Sequence, residues 1–414
     1  MLAFGAYMKV PRRQFILGGA GLVLSSAQLL SMAARAADQQ RSKGSRILVM
    51  VQLSGGNDGL NTVVPYGLGH YYSARPKLAV RAADVLPLND SIGLNAKMSS
   101  LHELFATGQL AILLGVGYPN SSRSHFRSVE IWQTAEPDRI LNTGWLGRYL
   151  DYSNTGAQAK KVFPAINVDP MLPKSLASDR TVVPTISEVH QSFFNTDIHY
   201  QLGRQGQIES FNKIYQSYDL AQPDSQLLRE MGMEAMQASH HLLNVSKHYR
   251  NSVVYPDNGF GRGMKFIAQM IIAGLNTQIY NISLGGFDTH ANQGQTHPYL
   301  LQQFSDALAA FYKDLLLHNA DQDVLVFTFS EFGRRLKENA EAGTDHGTAA
   351  PVLIMGSAVK GGLYGDHPSL NDLDQGDLKY GIDFRSIYAT ILNRWLEFDA
   401  KQILGRNFEN ILFV

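Results

Sequence analysis

Short, nearly continuous apolar runs alternate along the chain with longer segments whose apolar positions recur every three or four residues. The first run, Arg46 to Leu53, reads Arg-Ile-Leu-Val-Met-Val-Gln-Leu. The same character returns at Leu110 to Val116, Gln278 to Leu284, Val324 to Phe329 and Pro351 to Met355. Runs this short that do not alternate read as strands buried on both faces, as in a parallel sheet. Between them, Leu301, Phe304, Leu308, Phe311 and Leu315 form one stripe along His297 to Asn319, and Met98 to Phe105, Gly263 to Leu275 and Phe384 to Leu396 look similar. This order predicts βαβ units, and so an α/β fold with a mainly parallel sheet covered by helices on both faces. Pro170 to about Asp257 breaks the rhythm: Met171 to Asn212 is polar without a clear period, and Ser225 to Tyr249 reads as a long helix. We take residues 170–257 as an inserted cap or side element.

Charge adds a targeting reading. Residues 1–36 carry Lys9, Arg12, Arg13 and Arg35 but no acidic residue, the first being Asp38. Arg12-Arg13 precedes an apolar run, Phe15 to Leu30, diluted by glycine and serine and too short and weak for a stable transmembrane anchor. Ala34-Arg35-Ala36 fits a small-x-small cleavage site. The expectation is a twin-arginine signal peptide over 1–36, a mature α/β domain over 37–414, the twin-arginine translocation machinery as partner, and a periplasmic or secreted location. Removing the 4 basic residues of the signal leaves 32 Lys and Arg against 36 Asp and Glu, or about −4, which gives no hint of a nucleic-acid partner. The chain has no cysteine, which excludes disulfides, thiolate ligands and a thiol nucleophile.

Chemistry must therefore come from oxygen and imidazole groups, which concentrate in loops at the strand ends, where parallel α/β sheets build their sites. The first loop is Ser54-Gly55-Gly56-Asn57-Asp58-Gly59, where Asp58 is either a hard oxygen ligand or part of an Asn-Asp-Gly turn. The second, Ser121-Ser122-Arg123-Ser124-His125-Phe126, offers a serine at a helix start, beside His125, with Arg123 to hold an anion; helix capping by Ser122 or Ser124 is the plainer reading. No G-x-S-x-G elbow occurs, which counts against an α/β-hydrolase. The third is Gly285-Gly286-Phe287-Asp288-Thr289-His290, whose Asp288 and His290 can reach one cation. The fourth and fifth are Ser330-Glu331-Phe332-Gly333-Arg334-Arg335, which also fits a surface ion pair, and Gly343-Thr344-Asp345-His346-Gly347-Thr348. His240, His241 and His248 lie on the expected long helix and read as surface or packing residues. Carboxylates and imidazoles without thiolates suit zinc, manganese or magnesium, as one or two divalent ions.

Together with the Arg12-Arg13 signal, these five loops resemble, in this order, the bacterial twin-arginine-exported family labelled domain of unknown function 1501, over nearly the whole chain from about Arg46 to Leu396. The resemblance implies a fold similar to the alkaline phosphatase and sulfatase superfamily, whose sites hold metals at strand ends beside a Ser, Thr or formylglycine-type nucleophile. On that resemblance Asp58 is the first-strand ligand, Ser124 is near the nucleophile position, Asp288 and His290 belong to one metal site, and His346 is the late histidine before the final apolar strand. Glu331 falls where an Asp followed by His is usual. Two departures stand out. Phe332 replaces that imidazole, leaving a second metal site short of a ligand, and Asp288-x-His290 is tighter than the usual Asp-x-x-x-His.

The leading expectation is an exported metal-dependent hydrolase of small or polymeric phosphate or sulfate esters. Asp58, Asp288, His290, Glu331 and His346 are its ligands, Ser124 its nucleophile, and Arg123 or Arg334 steadies the anion. Two alternatives are a non-catalytic binding or assembly protein retaining the fold, which Phe332 favours, and a metal-free serine hydrolase built on Ser124, His346 and Asp288.

Overall fold

Side chains of the first apolar run, strand β1 (Ile47–Leu53), divide by parity: Ile47, Val49, Val51 and Leu53 enter one core, Leu48 and Met50 another. Successive strand residues point to opposite faces, so a run apolar at every position needs cover on both. The computed structural model describes residues 46–153, 163–186 and 253–414. In it β1 lies inside an eight-stranded sheet with β2 (Leu110–Gly117), β3 (Ala165–Asn167), β4 (Ile279–Leu284), β5 (Val324–Phe329), β6 (Ala350–Met355), β7 (Gly362–Tyr364) and β8 (Ile382–Asp383). The spatial order is β7-β2-β6-β5-β1-β4-β3, with β8 also pairing the end of β2.

Among the described residues, the helices of seven or more residues build most of the two layers: α1 (Ser99–Ala106), α2 (His125–Thr134), α3 (Trp145–Ser153), α4 (Gly259–Ile272), α5 (Gln293–Leu317) and α6 (Phe384–Thr390). Leu101 of α1, Met264 and Ile267 of α4, and Leu301, Phe304 and Leu308 of α5 cover the face that receives Val49. Trp132 of α2, Trp145 of α3 and Tyr388 of α6 cover the other. There the aromatic rings stack, Trp145 on Tyr388 at 4.1 Å and Trp132 on Phe384 at 4.4 Å between centroids. The α/β fold with a mainly parallel sheet covered on both faces is thus present.

One strand departs from the expectation. Pro351 to Met355 falls in β6, which runs antiparallel to both β2 and β5, whereas the other pairings are parallel. Buried on both sides of the sheet, β6 is as uniformly apolar as its neighbours, so apolarity alone does not reveal direction. Reversal matters for the site: the loop before β6 lies at the sheet edge where the other strands end. Pro351 lies where the β6 register shifts, between Ala350 and Val352, a position that tolerates the missing N–H.

The expected insertion is only partly in view. Leu176, Val183 and Ile186 are buried in the two cores, so residues 170–186 belong to the main body. Residues 187–252, with the expected Ser225 to Tyr249 helix, and the expected signal over 1–36 lie outside the described residues. No helix among the described residues is long and apolar enough to cross a membrane.

Candidate metal centre

β1 ends at the loop Ser54 to Asp58, which presents backbone rather than side chains to the site. Gly55 sits at φ +118°, and a Cβ there would lie 2.4 Å from the Asp288 nitrogen. Only glycine lets these two loops approach so closely. The Gly55 N–H donates to Glu331 Oε1 at 2.8 Å, and the Asn57 N–H to Ser330 Oγ at 2.8 Å, so the loops after β1, β4 and β5 are stitched together beneath the site.

Asp288 is the centre of the arrangement. Its Oδ1 lies 3.1 Å from both His290 Nε2 and His346 Nε2, and its Oδ2 lies 3.4 Å from His125 Nε2. His290 Nε2 and His346 Nε2 are themselves 2.8 Å apart. One ligand atom each from His125, Asp288 and His346 all fall within 4.8 Å of one another. Burial pushes the Asp288 carboxyl up, but hydrogen bonds from Arg334 and His346 and the charges of Arg334 and His125 outweigh it, holding the pKa at about 2. Asp288 is therefore an anion across the physiological range.

Behind the histidines the pattern repeats three times. His125 Nδ1 is 2.9 Å from Glu331 Oε1, His290 Nδ1 is 3.3 Å from Asp345 Oδ1, and His346 Nδ1 is 2.8 Å from the Arg123 carbonyl oxygen. Carboxylates and carbonyls only accept, so each Nδ1 donates to its support, while Asp288, also only an acceptor, draws either a second proton or a cation to the Nε2 side of the rings. His125 Nε2 is buried and has no hydrogen-bond partner. His290 Nε2 and His346 Nε2, 2.8 Å apart and both facing Asp288 Oδ1, repel as two N–H groups and equally as two lone pairs, so a single shared proton or a cation lies among them. Tethered imidazoles of this kind are the usual support of a metal site. The donors therefore fit a divalent ion: His125, Asp288, His290 and His346 would hold it. Three imidazoles and one carboxylate suit zinc or manganese better than magnesium, which prefers oxygen.

Several expected roles are corrected by these contacts. Asp58 does not join the cluster. It is fully buried, caps Leu60 N, pairs with Arg75 at 2.5 Å and accepts from Gln293 at 2.5 Å. Burial pushes its carboxyl up and Arg75 more than reverses this, so it sits below the usual range as the core of an internal ion pair. Glu331 is the carboxylate behind His125, with Gly55 N on the same oxygen, and not a ligand. Arg334 cannot steady a substrate anion: it is buried, and its N–H groups go to the carbonyls of Gly55, Gly56, Phe287 and Thr344 and to Asp288. Arg123 keeps its expected reach toward an anion: it pairs with the buried Asp377 through Nε at 2.6 Å while its side chain stays 36% exposed. His125, expected as the partner of Ser124, turns instead to Asp288 and Glu331.

Ser124 is exposed and is the N-cap residue of α2, but its side chain makes no cap hydrogen bond. Of its neighbours, Ser121 Oγ donates to Tyr118 O at 2.6 Å, and Ser122 Oγ accepts from Ser124 N at 3.2 Å. A Ser124-His346-Asp288 triad is not formed, because His346 commits one nitrogen to the Arg123 carbonyl and turns the other to Asp288 and His290. Phe332 is buried against His125 and His346, with centroids 4.9 and 4.5 Å apart, and so walls the cluster with carbon where the superfamily pattern has an imidazole. Asp345 stands in the sequence only as the neighbour of His346. Its tie to His290 across 55 residues depends on the pairing of Thr344–His346 with Arg334–Glu338, which no local pattern reveals.

Among solved structures, the chain is similar to PsFucS1 sulfatase from Pseudoalteromonas sp., at 13% identity and TM-score 0.38 over 93% of this chain and 74% of that one. It is also similar to a protein in the alkaline phosphatase superfamily from Vibrio parahaemolyticus, at 10% identity and TM-score 0.35 over 82% and 71%. A third likeness, to the lipoteichoic acid synthase LtaP from Listeria monocytogenes, has 8% identity and TM-score 0.34 over 83% and 72%. No curated protein matches the chain. Residues 45–409, a span that includes every residue of the cluster and its supports, match the family described as "Protein of unknown function (DUF1501)", and the chain belongs to that family.

Proposed function

We propose that this protein is a hydrolase of phosphate or sulfate esters that depends on a single divalent metal ion, zinc or manganese by its donor set, and that works outside the cytoplasm. The observation that carries this reading is the convergence of three Nδ1-tethered histidines on the ionised Asp288, with His125 Nε2 buried, without a hydrogen bond and 3.4 Å from Asp288 Oδ2. A bound ion supplies Lewis-acid polarisation of an ester oxygen and acidifies water. The chain's own residues do the rest. His125, Asp288 and His346 bring one ligand atom each within 4.8 Å of one another, His290 Nε2 joins at 2.8 Å from His346 Nε2, Glu331 and Asp345 hold the Nδ1 side of His125 and His290, and Phe332 packs on His346. Ser124, exposed one residue before His125, is the candidate nucleophile. The ester class comes from the family that the ordered motifs resemble, whose fold is similar to the alkaline phosphatase and sulfatase superfamily. Export rests on Arg12-Arg13 and the acid-free stretch before Asp38, with the twin-arginine machinery as the partner they imply. Phe332 and the retreat of Glu331 behind His125 favour one ion over two.

Elemental analysis of the purified protein tests the reading. About one equivalent of zinc or manganese is expected, lost in an Asp288→Ala, His290→Ala double variant. Hydrolysis of p-nitrophenyl phosphate or sulfate should disappear with it and fall at least a hundredfold in Ser124→Ala. A folded wild type that neither carries nor takes up the ion overturns the proposal, and a metal-loaded protein without hydrolysis of any ester overturns its catalytic half.

A further inference from the structure

Arg123, expected from the sequence to hold an anion, has beside it a second arginine, Arg335, to which no role has been given. Arg123 immediately precedes Ser124 and His125, and its carbonyl accepts from His346 Nδ1 at 2.8 Å. Arg335 follows Arg334 on a short strand, Arg334–Glu338, which pairs with Thr344–His346. Both side chains turn to one carboxylate. Asp377 Oδ2 accepts from Arg123 Nε at 2.6 Å and from its Nη2, while Asp377 Oδ1 has Arg335 Nε at 3.5 Å. Asp377 is 1% exposed and each arginine 36%. The Asp377–Leu378 strand is pinned in turn, since Thr348 Oγ1 donates to the Leu378 carbonyl two residues beyond His346.

A structural role would need only one of these cations. Arg123 already neutralises the carboxylate, with two of its nitrogens on the one oxygen Oδ2. Arg335 stands beyond hydrogen-bond length from Oδ1, which is left as a buried oxygen without a hydrogen-bond partner. Keeping a second guanidinium there, half-exposed and without a good bond, has a use if its outward N–H groups bind something from solution. Other carboxylates near the pair are Asp374, next along the hairpin, and Asp345, which is engaged by His290 and Asn339.

We infer that Arg123 and Arg335, set side by side by Asp377, form an anion subsite on the rim of the cluster that receives a second anionic group of the substrate, so that preferred substrates carry at least two negative groups. This rests on the ester-hydrolase reading for the first group alone. Asp377 is a positioning residue, and the arginines are the binding groups.

The test is equilibrium binding of two defined probes, benzenesulfonate and benzene-1,3-disulfonate, to the full chain, with metal content measured on the same samples. Wild type should bind the disulfonate at least tenfold more tightly. Arg335→Gln should erase that preference while leaving benzenesulfonate within about twofold, and Arg335→Lys should restore part of it. Because Arg123→Gln alone strands Asp377, it is made together with Asp377→Asn and should give the same loss with an unchanged melting temperature. Equal weakening of both probes would assign the arginines to the first anion, and no change in either would make the pair purely structural; both overturn the inference. A metal-free sample in which Arg335 still controls the preference would leave the subsite standing and sink the metal reading instead.

Discussion

At the level of single residues, two of the three carboxylates expected as ligands have become something else, and the difference is measurable. Glu331 acts through His125, holding its Nδ1 at 2.9 Å. Outer carboxylates of this kind contribute about ten- to a hundredfold in metal affinity. Glu331→Gln should therefore weaken zinc binding by that factor in a competition titration while the protein still binds about one equivalent; a complete loss would return Glu331 to the ligand set. Asp58 gives the opposite pattern. Removing one partner of a buried ion pair costs roughly 3–5 kcal/mol because the other charge is stranded, so Asp58→Ala should lose about that much stability in urea unfolding. Its metal affinity in the native state should be unchanged. An Asp58→Ala protein that is stable but metal-free would mean that Asp58 is a ligand after all. Sequence marked Asp58, Asp288, His290, Glu331 and His346 alike, as acid or imidazole in a glycine-rich loop. What sorts them is burial and the partner across the fold, Arg75 for Asp58 and His125 for Glu331, and neither pairing is local.

Among the elements, the informative one is the turn after β1. Gly56 sits at φ +84°, and a Cβ on it would fall 2.3 Å from the Phe332 ring. Gly56→Ala thus combines a strained backbone, worth roughly 1–3 kcal/mol, with displacement of the ring that packs on His125 and His346. Expected are a lower melting temperature and zinc affinity reduced several-fold, with the metal-bound form recovering part of the lost stability. Unchanged zinc affinity despite a lowered melting temperature would show that Phe332 does not support the histidines. Most strands and helices were legible because their apolar periods are set by local burial, and β1 and β5 match their expected spans within one residue. Strand direction was not, since β6 is apolar on both faces whichever way it runs. Yet that reversal is what brings His346 to the edge where Asp288 and His290 sit: the loop before an antiparallel strand faces the same way as the loops after parallel ones.

For the molecule as a whole, acid stability gathers at a histidine outside the cluster. His297 on α5 is fully buried beneath the loop after β1, with Nε2 2.9 Å from Asn57 Oδ1. Burial is the main cause that lowers its pKa to about 4; the nearby Asp58 charge works against this, and those of Arg75 and Arg334 add to it. The folded state thus resists a proton that the unfolded chain accepts near 6.5. Between these values the unfolded state binds more protons, so stability is complete above about pH 6.5 and is lost as pH falls toward about 4. At 1.36 kcal/mol per unit, the full span amounts to about 3 kcal/mol. Burial lowers His367 in the same direction and adds to the loss, whereas Asp58 and Asp288, both held low, act only below the ordinary carboxylate range. Urea unfolding of chelator-treated protein at pH 7 and near pH 4 should show this drop in wild type. In His297→Gln, which keeps a donor toward Asn57 but does not titrate, the drop should shrink by about 2–3 kcal/mol. Equal drops in the two proteins would mean that His297 is solvated or already charged in the native state, and that acid sensitivity arises elsewhere in the fold.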